Sequence, residues 1–134
     1  MNLVSHQINT MSGEILCPGD KSISQRILII GSILNCDMEI DGFLDSADPN
    51  STLNALNEIG ASIKKEQEKV FLSKRHIPFH EPINDLDLGN SGTGARLILG
   101  LISGLGLRSK LIGDSSLSNR PCLLYTSDAA DDLL

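Results

Sequence analysis

The sequence predicts a mixed α/β fold, one domain in which short strands and amphipathic helices alternate around a single aliphatic core. Three observations predict it. Apolar residues recur at helical spacing in separate segments, and short alternating runs lie between them. Two of the helices open from a glycine-bearing turn that carries a cation, and a third turn of this kind follows near residue 113. The order strand, helix, strand, helix, hairpin, then strand, helix, strand reads as a βαβαββ unit that begins to repeat. The 134 residues suffice for one core, and with aromatics at 3% and no Trp that core is built from Leu, Ile and Val.

The chain opens with two short candidate strands, 3–9 and 14–17. Residues 18–26 read P-G-D-K-S-I-S-Q-R: Gly19 permits a tight turn, and Asp20 or Ser22 can cap the helix that follows. That helix runs from Ser22 to about Leu34, with Ile23, Ile27, Ile30 and Leu34 as its expected buried stripe, widened by Ile29 and Ile33. Residues 37–43 alternate and predict a strand. Asp48 before Pro49 suggests an N-cap with proline at the first helical position, opening a helix over 49–59. Leu53, Leu56 and Ile59 form its buried face, and Gly60 stops it.

A hairpin is expected from 61–65 and 70–72, with the charged 66–69 run as its solvated turn. Residues 74–82 form a loop. His76 and His80 have a helical metal-ligand spacing, but Pro78 between them opposes a helix and no third ligand is near, so no metal is expected. Residues 85–88 predict a strand that runs into G-N-S-G-T-G over 89–94 and then an apolar helix to about Ser103. A strand over 107–112 and the turn G-D-S-S-L-S-N-R over 113–120 complete the pattern.

The chemistry sits in these turns. Helix N-termini present free N–H groups and the positive end of the helix dipole. Lys21 and Arg26 with Ser22 and Ser24 at the first, and Ser91, Thr93 and Arg96 at the second, suit a phosphate or carboxylate. The other reading is ordinary capped helices with solvated cations. Neither turn is a dinucleotide fingerprint or a P-loop, since the glycines are wrongly spaced and no Gly-Lys-Ser/Thr follows. The net charge of −6 argues against broad nucleic-acid binding and leaves room for a small anion. Cys17, Cys36 and Cys122 lack metal spacing and read as reduced cytoplasmic thiols. No signal peptide is visible, and the apolar runs are too short to span a membrane.

P-G-D-K-S-I-S-Q-R, L-G-N-S-G-T-G-A-R and G-D-S-S-L-S-N-R-P, in that order, resemble the amino-terminal part of the 5-enolpyruvylshikimate-3-phosphate synthase family (3-phosphoshikimate 1-carboxyvinyltransferases). L-D-S-A-D-P-N-S-T-L-N-A-L-N-E-I-G-A resembles the family's second helix. The first motif usually carries His where this chain has Gln25, and the second often carries Met at Ala95; both are read as tolerated.

The resemblance implies transfer of the enolpyruvyl group from phosphoenolpyruvate to the 5-hydroxyl of shikimate 3-phosphate, with no metal or organic cofactor. It assigns Lys21, Ser22 and Arg26 to shikimate 3-phosphate, and Lys21, Asn90, Gly92 and Arg120 to phosphoenolpyruvate. Arg96 is either a further ligand or part of a structural ion pair. The proton-transfer carboxylates are expected downstream. The implied fold is the enolpyruvyl transferase fold, an inside-out α/β barrel of βαβαββ repeats, here about one and a half repeats of one domain. Residues 1–121 form that partial domain, with 1–11 a strand of the missing second one. Residues 122–134 fit no part of the family. Over 122–131 they match a translation of a transposon sequencing adapter and are expected not to be native. The implied full enzyme is a cytoplasmic monomer, and the chain alone is expected to be inactive. The alternatives are a UDP-N-acetylglucosamine enolpyruvyl transferase relative and a non-catalytic phosphate-binding module.

Overall fold

The computed structural model describes residues 3–7, 9–66 and 69–120. Expectations for residue 8, for the tip of the hairpin and for 121–134 lie outside them. The elements are α1 (Lys21–Leu34), β1 (Met38–Ile40), α2 (Ala47–Glu58), β2 (Ile63–Glu66), β3 (Lys69–Leu72), β4 (Leu86–Asp87), α3 (Gly92–Leu105), β5 (Leu111–Ile112) and α4 (Ser115–Ser118). β1, β3 and β2 form an antiparallel sheet with β3 in the middle. β4 and β5 form a separate parallel pair, Leu86 opposite Leu111, joined through α3 as a parallel connection requires.

α1, α2 and α3 pack on one another, and the three-stranded sheet lies against α1 and α2. The core is aliphatic: Leu28 from α1, Leu53 and Leu56 from α2, Val70 and Leu72 from β3, Leu86 and Leu88 from the β4 segment, Ile98 and Ile102 from α3. Leu86 and Leu88 both point inward because alternate strand residues share a face.

The structure corrects several expectations. Among the described residues, 3–20 contain no strand, and Leu3, Val4, Met11, Ile15 and Leu16 are exposed. A strand exists only with a hydrogen-bonded neighbour, and none of the described strands pairs with this segment. On α1 the buried face is Ser24, Gln25, Leu28, Ile29, Gly31 and Ser32, whereas Ile23, Ile30, Ile33 and Leu34 are exposed. Small residues win that face because the neighbours come close: a Cβ on Gly31 would stand 2.7 Å from a Leu72 methyl. Asp48 does not cap α2. Ser46 holds the N-cap position without a side-chain cap bond, and Pro49 falls third in the helix, where an absent N–H costs no intrahelical bond. α4 is a single turn capped by Asp114, whose Oδ1 accepts from Leu117 N at 2.8 Å. β1, β4 and β5 are shorter than expected, while α3 begins earlier, inside the glycine turn.

β2 is tied to the start of α2 through Asp45, which accepts from Lys65 Nζ at 2.6 Å and from Asn50 Nδ2 at 2.7 Å. The hydrogen bond from Lys65, then that from Asn50, holds the Asp45 carboxyl below the usual aspartate value of 3.8. A lowered folded value stabilises the protein above the unfolded one, and the contribution is lost as pH falls through the lowered midpoint. We expect the Asp45 carboxyl carbon to titrate below 3.8 by NMR and to return toward it in Lys65→Met. A midpoint unmoved by that substitution contradicts the assignment.

Candidate anion site

The beginnings of the helices lie at one end of the molecule. Asp20 caps α1, its Oδ1 accepting from Ile23 N at 2.7 Å. Ser91 caps α3, its Oγ accepting from Gly94 N at 3.0 Å. Gln25 joins them. Fully buried on the first turns of α1, it donates from Nε2 to Ser91 Oγ at 2.6 Å, Thr52 Oγ1 at 3.0 Å and the Asp48 carbonyl at 3.2 Å. One side chain thus touches the openings of both α2 and α3. Gly94 makes this possible, since a Cβ there would stand 2.6 Å from both Ser91 Oγ and Thr52 Oγ1.

The third turn attaches from the other side. Asp114 N donates to the Gly89 carbonyl at 2.9 Å, and Asn90 Nδ2 donates to Asp114 Oδ2 at 2.9 Å. Arg120 donates from Nη2 to Asn90 Oδ1, and its Nη1 lies 2.4 Å from where a Cβ on Gly92 would stand. A side chain at 92 would push that guanidinium away from its present place against the turn.

Lys21 Nζ is bonded to Asp48 Oδ2 at 2.9 Å, with half its side chain exposed. Ser22 is half-buried, and its carbonyl accepts from Arg26 Nη1 at 3.1 Å, so Arg26 is turned back along its own helix. Asn90, Gly92 and Arg120 form one cluster, and Lys21 reaches it through Asp48, Gln25 and Ser91. Arg96 projects from α3 into the wall of a groove of about 310 Å³ that Arg120, Leu99, Leu111 and Leu117 also line. His80 lies apart, its ring packed on Gly60.

Sequence reasoning missed two residues here. Asp48 was read as a cap, and Gln25 as a tolerated variation. The available signals were an acid in the first turn of a helix, where the dipole favours it, and a long polar side chain on the same face as Ser24, Leu28 and Ser32.

The arrangement suits a small polyanion, which gains from backbone N–H groups and cations together. An anion arriving at Lys21 must displace the Asp48 carboxylate. Asp48→Asn is therefore expected to strengthen inorganic phosphate binding by up to about fivefold, the upper end for an exposed ion pair. An NMR titration of the Lys21 and Ser22 amides checks it; weaker binding in the variant contradicts it.

The family model for EPSP synthase (3-phosphoshikimate 1-carboxyvinyltransferase) matches residues 5–127. A 3-phosphoshikimate 1-carboxyvinyltransferase of Petrotoga mobilis is 49% identical over 113 residues, covering 83% of this chain and 26% of the relative. That of Streptococcus uberis is 45% identical over 118 residues, covering 86% and 28%. Among solved structures, EPSP synthase from Acinetobacter baumannii superposes with a TM-score of 0.68 at 34% identity, over 81% of this chain and 25% of that one. The chain thus spans little more than a quarter of the length of the curated relatives it matches.

Proposed function

Because the chain belongs to the EPSP synthase family, we propose that it serves as the first part of a 3-phosphoshikimate 1-carboxyvinyltransferase. The reaction joins the 5-hydroxyl oxygen of shikimate 3-phosphate to C2 of phosphoenolpyruvate while the methylene carbon C3 gains a proton. The tetrahedral adduct then loses inorganic phosphate and a C3 proton, restoring the double bond as an enol ether. Both substrates are polyanions, so fixed cations and N–H groups do much of the binding. In this reading Lys21 meets both substrates, Ser22 and Arg26 hold shikimate 3-phosphate, and Asn90, Gly92 and Arg120 hold phosphoenolpyruvate. The carboxylates that move protons belong to the length of the relatives that this chain does not span.

The observation that supports the reading best is the path Lys21–Asp48–Gln25–Ser91, which ties the Lys21 turn to the 89–94 turn beside Arg120. The same reading takes residues 1–121 as about one and a half βαβαββ units of one domain, with 1–11 completing a second. It places the enzyme in the cytoplasm as a monomer. No helix among the described residues is long and apolar enough to cross a membrane.

The test is a graft. Residues 1–120 replace the matching quarter of the Acinetobacter baumannii relative, and phosphate release is followed with both substrates. Turnover is expected, and Lys21→Ala or Arg120→Ala in the graft should each lower kcat/KM by at least about a hundredfold. A folded graft that binds phosphate yet never turns over would favour a non-catalytic anion-binding module.

A further inference from the structure

Gln25 is an unusual choice for a core position. Its side chain is wholly buried, and its carbonyl oxygen Oε1 is buried with no hydrogen-bond partner among the described residues. A buried orphan acceptor is a cost that a Met or Leu of similar volume would avoid. Its amide nitrogen meanwhile faces three acceptors on two other elements, Ser91 Oγ, Thr52 Oγ1 and the Asp48 carbonyl. The carbonyl of Asp48 can only accept, and the Thr52 hydroxyl already donates to it at 3.1 Å. The amide orientation is therefore determined, with nitrogen toward the acceptors and the oxygen left over. Such a group contributes little to stability and much to the relative placement of the parts it links.

Those parts are the two turns of the anion site. Asp48 carries the carboxylate that holds Lys21, and Ser91 caps the helix whose first residue is Gly92. Thr52 and Ser91 close around Gly94, leaving no room for slack on the α3 side. We propose that Gln25 is a positioning residue: by clamping Ser91 to the Asp48 backbone it sets the 89–94 turn at a fixed distance from Lys21, so that one anion meets both. The proposal rests on the reading of this end as an anion site, and extends it to a residue that touches no ligand.

The test compares the wild-type chain with Gln25→Met, which keeps the volume and removes the donor, and Gln25→His, whose imidazole N–H restores one. Two readouts are taken: hydrogen exchange of the Gly94 and Ala95 amides without ligand, and the affinity for inorganic phosphate by NMR. In Gln25→Met the thermal midpoint should hold or rise, since the orphan oxygen is gone. Exchange at Gly94 should quicken by about tenfold or more, and phosphate should bind at least about fivefold more weakly. Gln25→His should recover part of both. Exchange and affinity unchanged in Gln25→Met, or a fall in midpoint with no recovery by His, overturns the proposal and leaves Gln25 as packing alone. If the wild-type chain binds no phosphate, the anion-site reading fails, and exchange at Gly94 still decides whether Gln25 holds the turn. Should Gln25→Met not fold, Gln25→Asn takes its place; it keeps an amide but is one methylene too short to reach Ser91, and exchange at Gly94 and phosphate affinity decide as before, with no midpoint criterion.

Discussion

The 134-residue chain on its own is expected to release no phosphate from phosphoenolpyruvate and shikimate 3-phosphate above the uncatalysed background. The argument has a binding half and a chemical half. Lys21 is half exposed and bonded to Asp48, and Arg26 and Arg120 stand at the surface. Charges so placed hold an anion against full competition from water, and exposed ion pairs contribute ~0–1 kcal/mol. Transition-state stabilisation needs the same groups in a water-excluded setting, where they are worth far more. The chemical half requires a proton to reach C3 of the donor and another to leave the 5-hydroxyl. General acid–base groups contribute about 10²–10⁴-fold each, and the proposed assignment places them outside this chain. A coupled phosphate-release assay with both substrates checks the expectation, run beside the graft as a positive control. Turnover by the chain alone would mean that a residue within this chain moves those protons.

Gly19→Ala is expected to be strongly destabilising. A Cβ at Gly19 would overlap the Gly42 carbonyl oxygen and stand 3.0 Å from Leu44 N. Both are backbone atoms, so no side-chain rotation relieves the overlap. The opposing segment is itself pinned: Gly42 sits at a φ of +70°, Phe43 is buried, and Leu44 N donates to Ser24 Oγ at 3.1 Å. Accommodating the methyl means lifting Phe43 from the core or losing the Leu44 bond. Overpacking of this kind costs about 1–3 kcal/mol, and its backbone character puts this case at the top of that range or beyond. Urea denaturation should show a lower midpoint at unchanged slope. Gly100→Ala is the control. It lies mid-helix on α3 with open space around it, and alanine there should stabilise by roughly 0.5–1 kcal/mol. A Gly19→Ala protein as stable as wild type would mean that the crossing of 19 and 42 is not as close as described.

The helices were legible because their signals are local, although the starts of α2 and α3 were not. Asp20 lies within three residues of the N–H group it caps, and Gly60 stops its helix at positive φ. The inner face of α2 was legible as well, since only one of its faces is apolar. α1 has apolar residues all round. Which row turns inward depends on how near β3 and the other helices come, and that favours Gly31 and Ser32 over Ile30 and Ile33. Local pattern carries no information about that distance. The first residues read as short strands but have no strand partner among the described residues, and pairing is not a property of one segment. In the site, the turn residues stood out by composition. The links Lys21 to Asp48 and Gln25 to Ser91 did not, because they join residues 27 and 66 positions apart.

Those separations also determine when the site exists. The β2–β3 hairpin closes between neighbours in the chain, while the Gln25–Ser91 clasp closes a loop of 66 residues. Contacts between distant residues bear the larger closure entropy and form late. By that ordering the clasp closes after the hairpin, and residues 73–85, which contain no helix or strand, connect the two parts. A form with the hairpin and α1–α2 folded and the 86–120 portion undocked is then the expected partial opening of the ligand-free chain. A protease that cuts within 73–85 reports the population of that open form rather than global unfolding. An anion seated between Lys21 and the 89–94 turn binds only the closed form and lowers the open population in proportion to its occupancy. Ligand binding and lifetime in the cell are in this way one equilibrium, read at two different places in the chain.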